Sequence, residues 1–147
     1  MVAPTSHTKK SALTRKSRLS LAEFQKRALA LFPDQISQMI LFGSYARGEA
    51  TPDSDLDVMV VVNWTDPSGK TKYYLPGASD PRWGQLVDAA TDVMIEYGSP
   101  ISVFPISEER FNIELPVAVE ARKEGVMLWQ KNWKKKTPLT LKPRKRG

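Results

Sequence analysis

Gly43-Ser44-Tyr45-Ala46-Arg47-Gly48-Glu49-Ala50-Thr51-Pro52-Asp53-Ser54-Asp55-Leu56-Asp57 joins two apolar segments, Ile36 to Phe42 and Leu56 to Val62. The run opens on a Gly-Ser corner and closes on Asp-x-Asp at the head of the second segment. Residues i and i+2 of a strand project to one face, so Asp55 and Asp57 are expected to point the same way. Two carboxylates ~5 Å apart at an effective dielectric of about 20 repel by about 3 kcal/mol. A fold holds such a pair when a cation bridges it or when one acid takes a proton. Mg²⁺ suits the first case, because it takes one or two carboxylates plus substrate phosphates and keeps several waters. Along the second segment Leu56, Val58, Val60 and Val62 share one face, while Met59 and Val61 continue the aspartate face. That pattern reads as a buried central strand with its acids at one end.

Gly43 permits a positive φ and a close approach of backbone to ligand. Ser44 reads as the N-cap of a short helix over Tyr45 to Glu49, and free N–H groups at a helix start favour phosphate. Gly43, Ser44 and, through its guanidinium, Arg47 are therefore the candidate phosphate-binding residues. Too few residues separate Phe42 from Asp55 for a parallel crossover. An antiparallel pair is expected, which brings the corner and the aspartates together. A P-loop is the rival reading, since Gly43 and Gly48 have its glycine spacing. It fails because Glu49-Ala50 stands where Lys-Ser/Thr is required.

In order and spacing the motif resembles the nucleotidyltransferase superfamily of the DNA polymerase beta type, and within it the short minimal nucleotidyltransferase proteins. The segment Lys123-Glu124-Gly125-Val126-Met127-Leu128-Trp129 is also similar to the close of many such domains. The resemblance implies a polymerase beta-like fold and Mg²⁺-dependent transfer of a nucleoside monophosphate, AMP foremost, from an NTP to an acceptor hydroxyl. Asp55 and Asp57 would be the catalytic metal ligands. It further implies a partner protein of the helical HEPN type, in a toxin–antitoxin pair. One departure stands out: the family's third carboxylate comes from a later strand, and here Ile101 to Ser107 contains no acid. Ser102 stands near that place, Glu108 just beyond it, and Asp88, Asp92 and Glu96 on the preceding helix read as solvated. A catalytically impaired nucleotide-binding or antitoxin-like protein is the alternative reading.

Composition bounds the rest. A chain of 147 residues is expected to hold one domain, without a separate acceptor-binding domain. There is no cysteine, so disulfides and thiolate metal sites are excluded, and a cytoplasmic setting fits. The apolar runs are far below bilayer length, so no membrane association is expected. The net charge of +6 is unevenly spread. Residues 1–19 hold five Lys/Arg and residues 131–147 hold eight, neither with an acid; residues 20–130 then carry −7. The ends read as disordered basic tails around a nucleotidyltransferase domain at 20–130. Nucleic-acid binding through those tails, with Trp129 and Trp133 beside lysines, is a third reading. His7 lies in the first tail and carries no expected role.

Within the body, Ser20 with Glu23 reads as a capping box opening a helix that Pro33 closes. Helices are further expected over Pro81 to Tyr97 and Pro116 to Lys123, and strands over Ile101 to Ile106 and Val126 to Gln130. The sum is an α/β (α+β) domain, a small mixed sheet flanked by helices. Trp64, Tyr73, Tyr74 and Trp83 around the 64–81 loop are candidates for base stacking, with packing onto the sheet the plainer expectation.

Overall fold

The computed structural model describes residues 13–51, 53–70, 74, 76–113 and 115–131. Elements follow in the order α1 (Arg15–Leu31), β1 (Ile36–Phe42), α2 (Ser44–Arg47), β2 (Leu56–Val62), α3 (Pro81–Tyr97), β3 (Ile101–Ser107), α4 (Glu108–Phe111), α5 (Pro116–Glu124) and β4 (Val126–Gln130). The sheet order is β3-β2-β1-β4. β1 pairs antiparallel with β2 and with β4, and β2 pairs parallel with β3. This is the expected mixed sheet flanked by helices.

The two-sided apolar pattern of β2 is explained by what covers each face. Leu56, Val58, Val60 and Val62 pack with Leu21, Phe24 and Ala28 of α1 and Leu86, Ala90 and Val93 of α3. Met59 and Val61 pack on the other side with Ile40, Ile106, Phe111, Ala118 and Ala121, under α4 and α5. Five β2 residues, Leu56 and Val58 to Val60 with Val62, have no exposed surface at all. Gly125 seats α5 on the sheet: a Cβ there would overlap the Ala121 carbonyl oxygen and the Ile40 side chain.

Three expectations about elements need correction. The first helix begins at Arg15, so residues 15–19 are helical rather than part of a disordered tail. Thr14 caps it, its Oγ1 accepting from Ser17 N at 3.0 Å. Ser20 cannot be a cap because it is wholly buried in the middle of the helix, and Glu23 instead pairs with Arg27 at 2.8 Å. Glu108 to Phe111 forms a short helix where none was expected, capped by Ser107. The aromatic residues near the long loop are structural where they are described. Trp64 is buried edge-on to Phe32 (5.2 Å) with the Arg82 guanidinium 4.8 Å over its ring, and Trp83 packs against the same core. Tyr74 donates to Asp80 at 2.6 Å. Tyr73, Trp133, His7 and residues 132–147 lie outside the described residues.

Asp80 ties the loop to α3. Its buried carboxylate caps the helix through Arg82 N (2.9 Å) and accepts from the Arg82 side chain at both oxygens. Burial alone would raise this acid; hydrogen bonds from Arg82 and Tyr74 outweigh it and hold the pKa at about 2. The folded value lies below the ordinary 3.8, so the stabilisation is present above pH ~4 and is lost as pH falls through about 2. Replacing Asp80 by Ala strands Arg82 and uncaps α3, and should cost about 3 kcal/mol at pH 7. Urea denaturation at pH 7 and pH 2.5 checks both statements: the mutant's deficit should shrink at the lower pH.

Candidate active site

The register of the sheet builds the site. Phe42, the last residue of β1, pairs with Asp57. Gly43 therefore turns the chain directly beside the Asp57 side chain. Its φ of 75° lies in the region that only glycine enters freely, and a Cβ built on it would overlap Asp57 Oδ2. Two independent constraints thus require glycine at this position. Glycine also caps the short helix: Gly43, not Ser44, is the residue before it, and its carbonyl accepts from Arg47 N at 3.0 Å. Ser44 is the first helical residue and half-buried. Gly48 closes the helix in the left-handed conformation. A turn then leads into β2, with Ser54 N donating to Thr51 O (3.0 Å) and Thr51 N to Ser54 Oγ (2.8 Å).

Asp55 is exposed and Asp57 half-buried. Asp57 is raised above the ordinary carboxylate value of 3.8, first by burial and then by the Asp55 charge, while Arg47 pulls it down and Glu120 pushes it up. The two aspartates therefore do act on one another at the mouth of β2. Among the described residues no three His, Cys, Asp or Glu side chains form a cluster able to hold a metal ion. The donor set nevertheless fits Mg²⁺, which is content with two carboxylates when phosphate and water complete its shell. A raised Asp57 also gains when a cation arrives beside it.

The other candidates separate clearly. Ser102 pairs with Asp57 across the parallel β2–β3 ladder and is exposed on the same face, so the position next to Asp57 carries a hydroxyl and no acid. Glu108 follows the opposite end of β3 and bonds Ser37. Asp88, Asp92 and Glu96 are exposed on α3, across the sheet from Asp57. Arg47 stands at the corner but is held by carboxylates, Nε to Glu49 at 3.0 Å and Nη1 to Glu120 at 2.7 Å. Glu120 was missed in the sequence, because no local motif marks it; only the packing of α5 on the Asp57 side of the sheet brings it to the corner. No helix among the described residues is long and apolar enough to cross a membrane.

Comparison with known proteins finds relatives in sequence and in fold. A Methanocaldococcus jannaschii protein provisionally named a protein adenylyltransferase is 30% identical over 93 residues, 63% of this chain and 76% of the relative. A second such protein from the same organism is 35% identical over 88 residues, 58% of this chain and 53% of that one. In a crystal structure of a mutant toxin–antitoxin MntA–HpeT, one chain aligns at 18% identity and a TM-score of 0.43, over 74% of this chain and 71% of that one. A provisionally named nucleotidyltransferase from Sulfolobus solfataricus aligns at 15% identity and a TM-score of 0.42, over 82% and 91%. The family model described as a nucleotidyltransferase domain matches residues 21–139, which takes in the sheet, the corner and both aspartates. This chain belongs to the nucleotidyltransferase domain family and is a transferase.

Proposed function

We propose that this chain transfers AMP from ATP to a hydroxyl group on a partner protein, with Mg²⁺ held by Asp55 and Asp57. The observation that carries the reading is the approach of the Gly43 corner to Asp57, which sets the start of a short helix beside a carboxylate that burial and the Asp55 charge raise. The provisional name of the M. jannaschii relatives supports the nucleotide and the protein acceptor. A helical HEPN-type protein in a toxin–antitoxin pair is the partner class that the motif's likeness implies.

In the transfer, the acceptor oxygen bonds to the α-phosphorus as the bond to the pyrophosphate oxygen breaks, and the hydroxyl proton leaves to solvent. Mg²⁺ supplies charge neutralisation and alignment for such in-line displacements. Asp57, within buried β2, and Asp55, just before it, would hold that ion. Ser44, at the start of the short helix, and the Arg47 guanidinium would meet the phosphates. A second reading, a nucleotide-binding or antitoxin-like partner protein with weak turnover, is favoured by Ser102. Its hydroxyl faces the site where an acid would help to take the acceptor's proton.

Incubation with ATP, Mg²⁺ and the partner, followed by intact mass measurement, tests the reaction. A monophosphate-sized gain on the partner should appear, vanish with a chelator, and fall roughly 10²-fold or more in rate in Asp55→Asn or Asp57→Asn. Nucleotide binding without any mass gain would favour the second reading. Gly43→Ala should weaken Mg·ATP binding at least about tenfold in calorimetric titration, because the added methyl displaces the Asp57 carboxylate.

Asp57→Asn should at the same time stabilise the metal-free protein at pH 7. An acid whose folded pKa is raised opposes folding once ionised, so that cost is present above its folded pKa and absent below its unfolded value near 3.8. Thermal melts in chelator should therefore show the mutant ahead at neutral pH, with the gap closing on acidification. A mutant less stable than the wild type at pH 7 would contradict the cost of ionising half-buried Asp57 beside Asp55.

A further inference from the structure

We propose that Glu120 is a positioning residue for nucleotide binding: it holds Arg47 in an ion pair at the metal corner and yields it to the triphosphate. This rests on the nucleotidyl-transfer reading above. Arg47 ends the short helix that follows Gly43. One of its carboxylate partners, Glu49, is a local and largely exposed neighbour. The other, Glu120, arrives from α5, 73 residues along the chain, and is less exposed, at 31% of its side chain. Buried Ala118 and Ala121 and the close seating of Gly125 fix α5 on the sheet, so Glu120 is presented from a rigid element. Both Glu120 and Arg47 lie within electrostatic reach of Asp57, with opposite effects on it.

Without nucleotide, Arg47 is paired with two carboxylates, and the corner holds more negative than positive charge. A triphosphate is the stronger partner: several charges share oxygens that match the guanidinium fork. The exchange leaves Glu120 without its cation beside an anionic ligand. Glu120 therefore lowers nucleotide affinity, and it does so through Arg47. An ion pair as exposed as this one sets a modest scale for the effect.

Calorimetric titration of Mg·ATP into the wild type, Glu120→Gln, Arg47→Ala and the double variant tests the idea. Glu120→Gln should bind about two- to fivefold tighter, with the change appearing in KM for ATP during turnover. Glu120→Ala should repeat the gain, and Glu120→Asp, which keeps the charge, should restore wild-type affinity at least in part. Arg47→Ala should bind more weakly, and adding Glu120→Gln to it should change nothing further. An unchanged or weaker Glu120→Gln overturns the proposal. So does a gain that persists in the Arg47→Ala background, which would mean simple repulsion. If the wild type binds no Mg·ATP, the nucleotidyl-transfer reading falls and takes this one with it. If the wild type binds and Glu120→Gln is unaltered, only the role of Glu120 is lost.

Discussion

The antiparallel register that sets Phe42 opposite Asp57 is the constraint on which the site depends. It places Gly43 against a carboxylate that half-leaves water, and it does so with a backbone only glycine adopts easily. A slip of one residue would turn Asp57 to the α1–α3 face and send Leu56 and Val58 to the other. The apolar patterning of β2 forbids that slip, because both of its faces are filled by different sets of side chains. Core packing and site geometry are therefore the same specification. The strand cannot hold its place in the sheet without aiming Asp57 at the corner.

The sheet was legible because its strands are short apolar runs bounded by turn residues, and because the 43–57 spacing permits only an antiparallel link. β1, β2, β4 and α3 run as expected from Ile36, Leu56, Val126 and Pro81. The start of α1 was not legible, since Thr14 and Ser20 both offer a cap and only burial of Ser20 decides between them. Packing of the 64–83 aromatic residues was the plainer expectation, but their partners were hidden. Trp64 and Tyr74 make the contacts of a structural clasp around Asp80 and Arg82, with nothing in their spacing to say so. In the site, the aspartates and the glycine follow from local sequence. Glu120 does not, because its place depends on where α5 lands after a chain reversal through β3 and α4.

The position of Ser102 sharpens the chemical question. Parallel pairing puts its side chain beside Asp57 on the same face, so the neighbouring ladder position carries a hydroxyl and no acid. The acid that does approach Asp57 from outside the motif is Glu120, on a helix and paired to an arginine. An acid on a strand next to Asp57 would be held as rigidly as Asp57; one on α5 that shares its charge with Arg47 is held by a pair that a polyanion can break. On the proposed reading, Glu120 would act as a competitor for the Arg47 cation rather than as a fixed metal ligand.

Charge at the corner then decides how a nucleotide could enter. Asp55, Asp57, Glu49 and Glu120 surround a single described guanidinium, and the 20–130 body is itself acidic. A free triphosphate would meet net repulsion there, since its one cationic partner is already engaged. A triphosphate that carries a divalent cation would bring the charge the aspartates lack and offset the burial and repulsion that raise Asp57. On the proposed reading, preference for the cation-bound nucleotide over the free one would come from these same carboxylates, through the sign of the charge at the mouth of β2.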